Sequence, residues 1–258
     1  MKKLLTFVLL VAAASFAQSP FDGTWVTKLD SAQFPKKPEV FLLAKGRYVC
    51  SSCVPKIDVK ADGTDQKVSG FSYFDTVAVR VIDKRSIEVT EKKDGKVMFV
   101  ETDTVSPGGK RMNEKFTDKT EEKAVKGDII FTRVAAGPAG AHAISGSWRA
   151  TKVNSVSDNG LKMTYHASSE GFKMSDPNGE SYDAKFDGKD YEIKGDPGHT
   201  MVSVKRIDKR TIEETDKRNG KVEGVLRLTV SPDGKMIHAV YENKRQGTTT
   251  TWKMKKES

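Results

Sequence analysis

Residues 82–97 read IDKRSIEVTEKKDGKV, and residues 207–222 read IDKRTIEETDKRNGKV. Sliding the chain by 125 positions superimposes 76–110 on 201–235 with 20 identities in 35 and no gap. At a shift of 123, Phe21-Asp22-Gly23-Thr24-Trp25 meets Ile144-Ser145-Gly146-Ser147-Trp148. The chain therefore carries one unit of about 110 residues twice, which is far too long a period for a solenoid. Within the quoted stretch, Asp94-Gly95 and Asn219-Gly220 separate two extended, β-branched runs. That is a hairpin signal, because both turn positions of the tightest hairpins need positive φ.

Working outward, SPGG (106–109) and SPDG (231–234) form the next turn, and Asp62-Gly63 and Asp187-Gly188 an earlier one. Val77, Val79 and Val81 alternate with Ala78 and Arg80, as Val202 and Val204 alternate with Ser203 and Lys205. Period two with one apolar face describes strands buried on one side. The expected fold is all-β: two tandem antiparallel meander barrels of about eight strands each, since a meander of this length avoids open edges by closing. The first unit is expected over 18–134 and the second over 144–258. AAGPAGAHA (135–143), small and without periodicity, reads as a linker.

The chain opens MKKLLTFVLLVAAASFAQS: two lysines, a short apolar run and Ser15-Phe16-Ala17 as a small-x-small cleavage site. Residues 1–17 are expected to be a signal peptide, the run being too short for a membrane span. No Cys follows it, so a lipid-modified N-terminus is not expected. The protein is expected in the periplasm or outside the cell. The formal net charge is +9, about +7 without the leader, and the two signs are interspersed. Such mixing reads as a solvated surface rather than a nucleic-acid footprint, and allows weak contact with anionic envelope polymers.

Gly23-Thr24-Trp25 and Gly146-Ser147-Trp148, each heading a run of meandering strands, resemble the opening motif of the lipocalin and fatty-acid-binding (calycin) barrels. The resemblance implies that Trp25 and Trp148 plug the closed end of a barrel. It also implies that a basic residue of the last strand, Arg133 or Lys253, lies across the indole. The family's second motif, a Thr-Asp-Tyr-like turn, is not matched: Thr102-Asp103 is followed by Thr104. The whole unit also resembles a secreted bacterial repeat domain of unassigned function, which implies export and a β fold.

Cys50 and Cys53 are the two cysteines. Thioredoxin-like chemistry needs the first Cys at a helix N-terminus, whereas an extended VPKIDVK follows here. Val54, in place of His, excludes the usual haem attachment. The pair is expected to be a local disulfide closing the Tyr48–Pro55 loop in an oxidising compartment, with redox or metal use as the alternative. The four histidines are scattered, and neighbouring acids such as Glu121-Glu122 and Glu213-Glu214 point to opposite faces of a strand. No catalytic residue, cofactor or metal is expected.

Aromatic residues remain. In hollow barrels Phe41, Tyr48, Phe99 and Phe116 of the first unit, and Tyr165, Tyr182, Tyr191 and Tyr241 of the second, would line a cavity. In filled barrels they would be core. The expected function is an exported, non-catalytic binding protein for a small apolar or amphipathic ligand. The competing expectation is a structural or interaction protein of the bacterial envelope with solid barrels.

Overall fold

The computed structural model describes residues 19–257; the expected leader, 1–17, lies outside the described residues. Twenty strands follow one another. The first ten are β1 (Gly23–Gln33), β2 (Glu39–Ala44), β3 (Arg47–Cys50), β4 (Ile57–Lys60), β5 (Gln66–Lys67), β6 (Thr76–Val81), β7 (Ser86–Lys93), β8 (Lys96–Val105), β9 (Arg111–Asp118) and β10 (Val125–Ala136). The second ten are β11 (Gly146–Val156), β12 (Lys162–Ala167), β13 (Gly171–Ser175), β14 (Ser181–Lys185), β15 (Tyr191–Glu192), β16 (Met201–Asp208), β17 (Thr211–Arg218), β18 (Lys221–Val230), β19 (Met236–Asn243) and β20 (Thr248–Lys256). The hairpin signals are realised: Asp94 and Gly95 have φ of 50° and 78°, and Asn219 and Gly220 have 49° and 73°.

The strands form two antiparallel sheets of ten strands each, both nearly closed into barrels. The expectation of about eight is corrected to ten. The difference arises because the region before β6, and its counterpart before β16, break into short strands on either side of turns. Those short strands meet at the seam of each barrel. In the second barrel Ser181 and Lys194 exchange backbone hydrogen bonds of 3.0 and 2.8 Å. In the first, Asp62 bridges to Arg80, and Gly63 donates to Val79 at 2.9 Å.

The first strands of the two copies are exchanged. β11 lies between β2 and β10 in the first barrel, and β1 lies between β12 and β20 in the second. Trp148 therefore packs in the core of the barrel built from the first copy, and Trp25 in the core of the barrel built from the second. Two local facts favour this arrangement. Pro35 and Pro38, between β1 and β2, fix their own φ and hold the preceding residues extended, so the chain runs on instead of reversing. β11, by contrast, follows β10 after a short loop and zips onto it from Gly127↔Val156 to Ala136↔Gly146, the pairing with the least loop-closure entropy.

The segment 135–143 is accordingly no free tether. Ala143 and Ser145 carbonyls accept from Arg133 at 2.6 Å each, His142 reaches the Asp83 carbonyl, and Ile144 is fully buried. The segment is the loop that caps the first barrel.

Inward residues follow the period-two pattern. Val77, Val79, Ile87 and Val89 are buried in the first barrel, and Val202, Val204, Ile212 and Leu228 in the second. In the repeated IDKR corner, Ile87 and Ile212 are fully buried, whereas Ile82 and Ile207 are 44% and 46% exposed. The corner is thus anchored from one side alone. Ile87→Ala or Ile212→Ala should destabilise by about 2–5 kcal/mol in chemical denaturation. Lys84→Ala, at an exposed position, should change stability by less than about 0.5 kcal/mol.

Candidate functional site

On β8, Phe99, Glu101, Asp103 and Val105 alternate on the inner face of the first barrel. Two apolar residues thus bracket two acids. Register sets Asp103 opposite Glu114 on β9, and Glu101 opposite Phe116. Glu91 on β7 lies opposite Phe99, and Glu39 on β2 opposite Trp148. Tyr48 on β3 reaches into the same space, where it feels Glu101, Asp103, Glu39 and Glu114.

Burial raises all five carboxyls, and the neighbouring acids raise four of them further. Glu114 is pushed up to about 9, and Glu39 and Glu91 to about 7, from an ordinary 4.5. Glu101 and Asp103 stand well above their ordinary values, first by desolvation and then by the surrounding acids. The Asp103 Oδ1 atom has no hydrogen-bond partner, although the residue is 2% exposed. Among the described residues no basic side chain enters the balance of Glu101, Asp103 or Glu114, and pairs such as Arg47–Asp58 and Arg80–Glu88 lie on the outer face of the sheet. Lys93, at the end of β7, donates to the carbonyls of Ser72 and Pro197 instead.

Glu101 and Glu114 are surrounded by protein yet keep accessible surface. A cavity of about 390 Å³, lined by Phe74, Glu91, Phe99, Asp118 and Glu121 among others, opens at the mouth. Another of about 230 Å³ reaches Glu39, Cys50 and Trp148 from the Phe34–Pro38 side. Aromatic pairs flank the acids: Phe41 stacks on Tyr48 with centroids 6.0 Å apart, and Phe99 on Phe116 at 5.7 Å. Gly127 makes room for this second pair, since a Cβ there would stand 2.2 Å from the Phe116 ring.

The second barrel differs at the same positions. Leu226, Leu228 and Ala239 replace Glu101, Asp103 and Glu114, and Glu214 replaces Val89. Glu214, raised to about 8 by burial and by Asp216, lies beside Tyr182. Tyr165 and Tyr182 pack with Phe172 in the core, while Tyr191 bonds Asp187 at the surface. Tyr241 lies over Gly224 and faces a cleft between the barrels. That cleft, of about 560 Å³, is also lined by Tyr73, Glu91, Asp216, Arg218 and Arg245. Arg218 stacks over the Tyr73 ring at 4.5 Å and donates to its hydroxyl, tying the barrels together.

A cation lies over each of the two buried indoles. The Arg133 guanidinium lies 3.9 Å from the Trp148 ring centroid. Over Trp25 the cation is Lys256, at 5.4 Å, and not Lys253. Lys256 shares the inward parity of buried Met254, whereas Lys253 points outward. Each indole N–H donates to the carbonyl four residues earlier, Trp25 to Phe21 and Trp148 to Ile144.

Cys50 and Cys53 form a disulfide. Among the described residues, Glu121, Asp176 and Glu180 bring carboxylate oxygens within 4.8 Å of one another, a spacing that suits one cation. Asp176 Oδ1, however, already accepts from the backbone of Asn178, Gly179 and Glu180. No helix among the described residues is long and apolar enough to cross a membrane.

Sequence reasoning singled out the aromatic residues around the first cavity and missed its acids. The signal was E-T-D at 101–103, two acids two residues apart and therefore on one face, against L-R-L at 226–228 in the other copy.

No known protein-family model matches the chain, and no curated protein is significantly similar to it.

Proposed function

We propose that this is a non-catalytic binding protein that holds a small amphipathic organic molecule inside the first barrel. The observation that carries this reading is the buried, unpartnered Asp103 oxygen, which lies with the part-accessible Glu101 and Glu114 among stacked aromatic pairs inside the first barrel. Polar groups buried without partners are destabilising unless something completes them, and a ligand with both apolar and polar surface does so. The second barrel keeps one buried acid, Glu214 beside Tyr182, each with an unpartnered atom, and has leucines and alanine where the first barrel places Glu101, Asp103 and Glu114. The calycin-like opening motif agrees with this role, as does export directed by residues 1–17.

The reading is not catalytic because, among the described residues, no histidine or oriented nucleophile hydrogen-bonds the interior acids. His142 and His166 are engaged elsewhere, with the Asp83 carbonyl and with Asp22. Native mass spectrometry of the protein purified without denaturation, followed by a thermal-shift screen of small amphipathic organics, tests the proposal. A co-purifying adduct, or a melting temperature that rises with ligand concentration as linkage requires, is the expected result. No adduct and no shift with any compound would overturn it.

A further inference from the structure

Resting on that reading, the geometry points to a small organic amine, bound as its ammonium ion, as the ligand of the first barrel, with Glu101, Asp103 and Glu114 as its counter-charges and the Phe99–Phe116 and Phe41–Tyr48 pairs as its walls.

Five carboxyl side chains drawn from β2, β7, β8 and β9 lie within electrostatic reach of one another, four inside the barrel and Glu39 at its exposed edge, and among the described residues no cation enters the balance of Glu101, Asp103 or Glu114. Asp103 adds an observation independent of their number. It is almost fully enclosed, it faces Glu114 across the sheet, and one of its oxygens has no partner.

Two features select an organic ammonium over a metal ion. No three of the interior carboxylates bring an oxygen each within 4.8 Å of one another; among the described residues, the trio that does is Glu121, Asp176 and Glu180, outside this interior. In addition, the walls are aromatic, and ring faces attract ammonium groups while stacking on an apolar stem. Carboxyls line the approach as well: Glu91, Asp118, Glu121 and Glu180 border the cavity that reaches Phe99.

The second barrel shows what the acids are not needed for. The same strand positions hold Leu226, Leu228 and Ala239, in a barrel with the same strand order. Scaffold alone therefore does not require carboxyls at these positions, and buried acids without partners weaken a fold.

Isothermal titration of the full chain with 2-phenylethylamine, 2-phenylethanol, 3-phenylpropionate and calcium chloride tests the inference. The amine is expected to bind at least about tenfold tighter than the alcohol or the carboxylate. Its binding should release about one proton at pH 7, seen as a dependence of the enthalpy on buffer ionisation, because a neutral carboxyl must ionise to pair with it. Affinity should accordingly strengthen by about fivefold to tenfold per pH unit between pH 5.5 and 7.5.

The variant Glu101→Leu/Asp103→Leu/Glu114→Ala, which installs the second barrel's residues, should lose amine binding by at least about thirtyfold. Glu101→Gln/Asp103→Asn/Glu114→Gln provides the same test with nearly unchanged shape, and its melting curve shows that the fold persists. If the alcohol or the carboxylate binds as tightly as the amine, the inference falls while the binding-protein reading stands. Calcium that displaces the amine and binds more tightly also overturns it, in favour of a metal site. If no compound of any class binds, both readings fall together.

Discussion

At pH 8 the variant Glu101→Gln/Glu114→Gln is expected to unfold about 6–12 °C above the parent, and at pH 5 at nearly the same temperature. The sign follows from proton linkage. Glu114 holds its proton up to about 9 in the folded protein, against an ordinary value of 4.5, and Glu101 is raised in the same direction. Between those values the folded state binds more protons than the unfolded chain, so stability is present in full below about 4.5 and is lost as pH rises toward 9. Burial acts first, and the facing acids act in the same direction, Asp103, Glu91 and Glu39 on Glu101 and Glu101 and Glu39 on Glu114, with no basic side chain opposing them among the described residues. The effect at pH 8 is on the order of 3 kcal/mol, less than the full shift of Glu114 because part of its surface stays accessible. Thermal denaturation at the two pH values checks it. A parent melting temperature that is flat from pH 5 to pH 8 would show that these acids are not held neutral in a closed interior.

The second large effect concerns the exchanged strands. Trp148→Ala should destabilise the protein by about 3–5 kcal/mol, because it empties part of a barrel core and strips the Arg133 guanidinium of the ring it covers. The location of the damage is the sharper expectation. Trp148 belongs to the second copy in sequence and to the first barrel in space. Hydrogen exchange should therefore show lost protection in β2–β10, with β12–β20 retained, and Trp25→Ala should give the mirror result. Loss confined to β12–β20 in Trp148→Ala would contradict the exchange.

These two experiments divide along the line between pattern and topology. The hairpin turns at Asp94-Gly95 and Asn219-Gly220 were legible because a local backbone requirement, positive φ, restricts the residue types. The inward valines were legible because strand pleating repeats every two residues. The acids at 101 and 103 have the same periodicity but were masked by composition. In a chain rich in charged residues, an acid on a strand reads as solvent-facing unless its neighbours on the same face are known to be core. Lys253 was misplaced for a related reason: only parity with Met254 shows that Lys256 is the inward cation.

The duplication, the all-β class, the hairpin corners and the alternation of buried and wet positions followed from the amino-acid sequence by itself, because each depends on contacts or torsions within a few residues. Only the tertiary structure decided three other features: that the first strands trade barrels, that ten strands rather than eight nearly close each sheet, and that five carboxyls from four strands lie within electrostatic reach of one another. Those depend on which distant strands lie side by side. Two copies with nearly the same pairing surface leave that choice open in the sequence, and loop stiffness and closure entropy settle it in the folded chain.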